Sequence, residues 1–191
     1  IHFDYLFNNN QRISFNYLLD EFVIDPEIEK GKENGKAFSL KYVFSKKTKS
    51  NYLINIYLSN ILIGTPTFRH GIGGNNFVNN NRPTGWRYGS DGNEFNIGLS
   101  ISNNKNIIFD INISRLITGE ETILYNPYNP YNDYTKGDFP SGKVIKKHFF
   151  QSDMRWKWNS TITFVLMQEL VFSHNKTYFR KLSLGLNFEA F

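Results

Sequence analysis

Apolar and polar residues alternate one by one through most of this chain. Successive side chains of a β-strand point to opposite faces, so a period of two predicts strands with one apolar and one polar face. About nine segments carry this pattern, and no convincing amphipathic helix interrupts them. The segments are residues 1–8, 13–20, 38–45, 52–59, 95–102, 107–114, 150–158, 161–170 and 181–188. The chain is therefore predicted to be all-β and antiparallel.

Two kinds of fold are built from such strands. In a soluble sandwich or a soluble ligand-binding barrel the apolar face forms the core, whereas in a transmembrane barrel it faces lipid and the polar face lines the lumen. Several segments approach the 9–11 residues that cross a bilayer at a tilt, and a sandwich strand is usually shorter. No apolar run is long enough for a membrane helix, but a barrel carries its membrane signal in the alternation.

The connections between the segments alternate in length. Tight turns are expected at residues 8–11, 46–50, 103–106 and 159–160, and the intervening connections are 26–36, 64–92, 120–142 and the brief 173–176. Bacterial barrels have short periplasmic turns and longer extracellular loops, and this order fits if the C-terminus is periplasmic. The pattern favours an antiparallel up-and-down transmembrane β-barrel in the bacterial outer membrane. Because single-chain barrels have an even strand number, residues 1–191 are predicted to be its C-terminal portion, without the N-terminal strands.

The last segment supports the same fold. A strand that carries Gly185 and Phe188 and ends in Phe191 resembles the assembly signal of outer-membrane barrels. The expected partners are therefore the barrel assembly machinery and outer-membrane lipid. Trp156 and Trp158, close to a strand end, suit an interfacial aromatic girdle.

Two stretches resemble the Wzi-like capsule assembly family. Residues 18–25 (LLDEFVID) are similar to its strand-to-loop segment. Residues 68–71 (FRHG) and 82–92 (RPTGWRYGSDG) are similar to its next extracellular loop, which precedes an alternating strand. The resemblance covers roughly residues 12–102. It implies an outer-membrane barrel that helps to assemble or attach capsular polysaccharide at the cell surface.

The loop 64–92 carries the first set of candidate residues. Arg and Trp side chains hold acidic sugars by charge-assisted hydrogen bonds and ring stacking. The alternative is a self-packed loop that folds into the lumen and constricts it, with Arg69 or Arg87 paired to Asp20, Glu21 or Asp91. The candidates are Arg69, His70, Trp86, Arg87, Tyr88 and Asp91.

An Asn-Pro-Tyr repeat in the loop 120–142 supplies the second set, Tyr128, Tyr131 and Tyr134. Proline stiffens the backbone and tyrosine offers a stacking face, which suits carbohydrate and equally suits a rigid exposed turn.

Charged residues on the polar faces form the third set. They are predicted to line the lumen, either as cross-strand pairs or as groups that select solutes. They are Asp20, Asp110, Asp153, Arg155, Lys157 and Glu169.

Other functional classes have little support in the sequence. None of the four histidines lies in a metal motif, there is no Cys, and no nucleophile elbow or phosphate loop is present, so no enzyme activity, metal or cofactor is expected. His70 with Ser90 and Asp91 is the one conceivable hydrolytic combination. The net charge of +5 is scattered and no nucleic-acid-binding motif occurs, so no nucleic acid partner is expected. A polysaccharide-engaging surface barrel, a general diffusion porin and a soluble ligand-binding barrel remain as hypotheses, in that order.

Overall fold

The structure is a computed structural model that describes residues 1–20, 23–24, 27, 31–69, 77–80, 82–103, 106–124, 137–159, 161–173 and 176–188. Its strands are β1 His2–Phe7, β2 Gln11–Asp20, β3 Gly35–Lys47, β4 Tyr52–Ile63, β5 Val78–Asn79, β6 Arg82–Pro83, β7 Gly92–Asn103, β8 Ile107–Thr118, β9 Ile145–Lys157, β10 Ile162–Ser173 and β11 Lys176–Phe188. The described part of the chain contains no helix with the length and apolar character needed to span a membrane.

Nine strands form one sheet in the order of the chain. The order is β1-β2-β3-β4-β7-β8-β9-β10-β11, and each strand is antiparallel to its neighbours. The prediction of an all-β chain with nine antiparallel strands is therefore confirmed. Among the described residues β1 and β11 are the two edges of the sheet and do not pair with each other, so the sheet is open.

Two features were missed by the sequence pattern. The short hairpin of β5 and β6 lies inside the connection 64–91, which was predicted to have no strands. The long strands also continue beyond the alternating segments: β4 reaches Ile63 and β9 begins at Ile145. The alternation weakens there because β4 carries Ile61 and Ile63 at polar-face positions and β9 carries Lys146 and His148 at apolar-face positions.

The first face of the sheet, called the apolar face, carries a continuous belt of large apolar side chains. Ile56 lies between Phe44 and Leu99, and Ile97 lies between Leu58 and Ile113 on neighbouring strands. These side chains are solvent-exposed in the structure, with Ile56 at 42% and Ile113 at 54%. No second layer of described residues covers this face.

The opposite face, called the polar face, is covered at only one end. Ala37, Ile63 and Leu116 point from the strands into a small core, and Trp86 of the connection 64–91 completes it. The connection therefore folds back over the polar face at the end where the long loops emerge.

Asparagine shapes the turns at the other end. Asn8 and Asn9 both have positive φ, at 46° and 56°, as a type I′ hairpin turn requires. The Oδ1 atom of Asn103 accepts hydrogen bonds from the backbone N–H groups of residues 106 and 107, and that of Asn159 does the same for residues 161 and 162. Because Asn tolerates left-handed backbone and caps tight turns with its side chain, these asparagines account for the tight turns at this end of the sheet.

Candidate functional site

The first segment of the loop is anchored to two strands. The Thr67 hydroxyl donates to the carbonyl of Lys36 at 2.7 Å, and the backbone N–H of Phe68 donates to Asp20 Oδ2 at 2.7 Å. Asp20 was predicted to be a lumen charge. It lies at a polar-face position, and its carboxylate holds the start of the loop against the end of β2.

The indole of Trp86 is the centre of the small core. Its side chain is 6% exposed, and its Nε1 donates to Glu94 Oε2 at 2.8 Å. The edge of its ring packs on Tyr88 with centroids 5.2 Å apart. Trp86 was predicted to stack on a sugar. In the structure its indole is buried and joins the loop to β7 through Glu94.

Arg87 and Tyr88 lie at the rim of this core. Arg87 donates to Glu94 Oε1 at 2.7 Å, while 58% of its side chain stays exposed, and its guanidinium lies 4.6 Å from the Tyr88 ring centroid. Burial raises the pKa of the Tyr88 phenol; nearby Arg87 lowers it, and Glu94 and Glu169 raise it further. Among the described residues Arg87 pairs with Glu94 and not with Asp20 or Asp91, and Glu21, the third acceptor considered, lies outside the described residues.

Asp91 joins the two long loops. Its carboxylate, which is fully buried, accepts hydrogen bonds from the Thr65 hydroxyl at 2.8 Å, the Ser141 N–H at 3.0 Å and hydroxyl at 2.5 Å, and the Glu121 N–H at 3.2 Å. Its backbone carbonyl also accepts from the N–H of Gly119 at 2.9 Å. Asp91 was a candidate for sugar binding, and these contacts give it a structural role instead.

Arg69 and Ser90 are buried in the same layer. Arg69 is 2% exposed and lies 3.5 Å from Glu121 Oε2, which connects the two loops a second time. The Ser90 hydroxyl accepts the backbone N–H of Ile123 at 3.2 Å. The possible hydrolytic combination therefore has both its Ser and its Asp enclosed in loop packing, and His70 lies outside the described residues.

The remaining charged candidates lie on the polar face between the loop core and the tight turns. Asp110 and Asp153 are opposite each other on β8 and β9. Arg155 Nε lies 2.9 Å from Asp153 Oδ1, and Glu169 accepts a hydrogen bond from Gln151 at 3.0 Å. Lys157 ends β9, and the alternation places it on the same face. The polar face is therefore lined by charges of both signs, and a lumen formed by this face stays a prediction.

Five of the predicted site residues lie outside the part of the chain that the structure describes: His70, Tyr128, Tyr131, Tyr134 and Phe191. Gly185 lies in β11 opposite Val165, and Phe188 ends that strand.

Three further residues that contribute polar contacts to the loop core were not predicted from the sequence: Glu94, Thr65 and Ser141. Only Glu94 left a signal: it is an acidic residue at a polar-face position of β7, soon after an Arg and a Trp that need an acceptor. Thr65 and Ser141 are far apart in the sequence, and only the fold brings both of them to the Asp91 carboxylate.

Aromatic rings cluster at the opposite, tight-turn end of the apolar face. Trp156 and Trp158 stack at 6.4 Å with an interplanar angle of 7°, and Phe164 lies 5.4 Å from Trp156. Trp158 is 63% exposed although it is a large apolar residue.

Known proteins offer no guide to the function. No family model, curated protein or solved structure matches this chain. The described residues also contain no group of three or more His, Cys, Asp or Glu side chains placed to hold a metal ion.

Proposed function

We propose that this chain forms the C-terminal portion of an outer-membrane β-barrel that engages exported polysaccharide at the cell surface and has no enzymatic role. The observation that carries the membrane part is the exposed apolar belt, which extends across the sheet from Phe3 to Leu184, at 52% and 80% exposure. A patch of that extent on a soluble monomer is rare, and lipid is the solvent that accommodates it.

The two ends of the sheet support an orientation for this barrel. Tight Asn turns and the stacked Trp156 and Trp158 lie at one end, and the long loops lie at the other. Short turns are typical of the periplasmic side, so the long loops would face the outside of the cell, and the tryptophans would lie in the aromatic girdle at the periplasmic interface.

The polysaccharide part rests on the exposed portion of the loop. Arg87 keeps more than half of its side chain in solvent, and Tyr88 lies beside it. The donors of a guanidinium suit the carboxylates of acidic sugars, and the neighbouring ring offers a stacking face. The resemblance of residues 82–92 to the capsule assembly family points to the same ligand class.

A general diffusion porin is the second candidate. The observation in its favour is the burial of Trp86 on the polar face, because a loop folded over the lumen side narrows a channel without any ligand. In that case Arg87 contributes only to the charge of the constriction.

Heat modifiability tests the membrane part. The full-length protein is refolded in detergent, and its electrophoretic mobility is compared before and after boiling. We expect a β-rich band that shifts on boiling. A protein that stays soluble without detergent and does not shift would overturn both membrane candidates.

Polysaccharide binding then separates the two candidates. The refolded protein is titrated with polygalacturonate, which is acidic, and with dextran, which is neutral. We expect polygalacturonate to bind and Arg87→Ala to weaken it roughly tenfold, the loss of one charge-assisted contact. Arg82→Ala, at the exposed hairpin of the same loop, is the control. Ion conductance in planar bilayers without binding of either glycan would favour the porin.

A further inference from the structure

A cavity of about 390 Å³ opens on the polar face, outside the core that the loop covers. This volume lies in the range of small-molecule sites. Strands β4 and β8 to β11 contribute its walls. The lining residues that matter for its chemistry are Tyr57, Asp110, Asn112, Asp153, Glu169 and Lys181.

Tyr57 forms a fixed wall of the cavity. Its register partner on β7 is Gly98, and a Cβ atom at that position would overlap the Tyr57 ring. The ring therefore lies directly over the backbone of β7, in space that only glycine leaves open. The ammonium group of Lys41 lies 5.3 Å from the ring centroid. These contacts hold the phenol in one place.

The carboxylates of the cavity are only partly compensated. Asp110 faces Asp153 across the strand pair, an arrangement of like charges that is destabilising in an antiparallel sheet. Asp153 has Arg155 nearby and Glu169 has Gln151, whereas the Asp110 side chain has no hydrogen bond or ion pair with any described residue. The lining has three carboxylates against the single ammonium of Lys181.

A second acceptor in the lining also lacks a donor. The Oδ1 atom of Asn112 is buried and accepts no hydrogen bond within the described part of the chain. Buried polar atoms are normally satisfied by protein, water or ligand, so this atom marks a place where a donor is needed. The cavity therefore has two acceptors, the Asp110 carboxylate and Asn112 Oδ1, that lack a donor among the described residues.

We infer that this cavity binds a small organic cation with one or more ammonium groups. An ammonium group has three donors and no acceptor, which matches Asp110 and Asn112, and its charge relieves the repulsion between Asp110 and Asp153. The Tyr57 ring, held in place by Gly98 and Lys41, supplies a wall for the alkyl part of the ligand. A metal ion fits less well, since the described acidic groups are not placed to share one.

Putrescine and butanediol make a matched pair of probes, because they share a carbon chain and differ in ammonium against hydroxyl ends. Isothermal titration of the full-length protein in detergent should detect putrescine with a dissociation constant of about 1 mM or tighter, and no butanediol. Asp110→Asn should weaken putrescine at least tenfold. This variant should fold well, because it removes a like-charge pair.

Two further variants complete the test. Asp138→Asn changes the net charge equally at an exposed position outside the cavity and should leave putrescine binding unchanged. Gly98→Ala keeps every charge but displaces Tyr57, and should weaken putrescine if the variant still shows its heat-modifiable band. Absence of putrescine binding, equal binding of both probes, or binding that Asp110→Asn leaves unchanged would overturn the inference. None of these results depends on polysaccharide binding, so the two proposals can fail separately.

Discussion

Asp91 and Asp110 are the same residue type in opposite surroundings. Asp91 is fully buried and accepts hydrogen bonds from three residues, whereas Asp110 lines a cavity and has no such partner among the described residues. A buried carboxylate with several donors holds structure together, and an uncompensated carboxylate in a cavity is available to a ligand. The sequence marked both residues as functional candidates and had no means of separating these roles.

The Asp91 contacts predict a large effect of Asp91→Asn. Asn accepts the positive φ of 58° at this position, so the backbone should be unaffected. The amide nitrogen, however, replaces an oxygen that accepts hydrogen bonds from the donors of Ser141, Glu121 or Thr65. We expect the free energy of unfolding in urea to fall by about 3 kcal/mol, the cost of hydrogen bonds to a charged group. Protease should also cleave the long loops faster.

The matched control for that experiment is Asp138→Asn, which removes the same charge from an exposed loop position. Its unfolding curve should coincide with that of the unaltered protein. If Asp91→Asn behaved in the same way, Asp91 would not join the loops in solution.

Tyr88 predicts a dependence on alkaline pH. Burial raises the pKa of its phenol, with Arg87 partly opposing the shift. A phenol whose pKa is higher in the folded than in the unfolded protein stabilises the fold at pH values below the unfolded pKa of about 10. That stabilisation is lost as the pH rises through the pKa of the folded state. Ultraviolet difference spectra against Tyr88→Phe should therefore show this phenol ionising above pH ~10. Ionisation at the ordinary pKa of tyrosine would mean that the ring is not buried by the loop.

The strands show how far the pattern of residues predicts the fold. Nine segments with a period of two gave the nine long strands, because alternation directly reports a sheet with different faces. The pattern failed where Ile61 and Ile63 point to the polar face, since the connection that follows β4 folds back and covers them with Trp86. The β5-β6 hairpin was also missed, because two-residue strands are too short to show a period. The loop core requires Ser141 to reach Asp91, which is far away in the sequence, and no local pattern encodes that contact.

Adjacent residues on β4 provide a test of the two faces. Ile56 lies on the apolar face and is 42% exposed, and Asn55 lies on the polar face. Ile56→Lys should lower the free energy of unfolding by about 2–4 kcal/mol in lipid vesicles, because a charge at the bilayer midplane is costly. Asn55→Lys should change it little. If water rather than lipid bathed the apolar face, the Ile56 substitution would stay within about 0.5 kcal/mol.

The molecule as a whole has three tryptophans in two environments. Trp156 and Trp158 stack on the apolar face, and Trp86 is enclosed under the loop on the other face. In vesicles made with brominated acyl chains, the fluorescence of a Trp86→Phe variant should be strongly quenched, since its remaining indoles would face lipid in the proposed barrel. A Trp156→Phe/Trp158→Phe double variant should be quenched little. Equal quenching of the two variants would contradict the assignment of the faces.

The direction of the strands has a consequence for closure of the sheet. Each neighbour in the nine-stranded sheet is antiparallel to the last, so β1 and β11 run the same way. Joining these two edges directly would create a parallel seam, which the all-antiparallel barrels of bacterial outer membranes do not have. Any such cylinder built on this sheet therefore needs an odd number of additional strands between β1 and β11, and one is the smallest number that restores alternating direction around the ring.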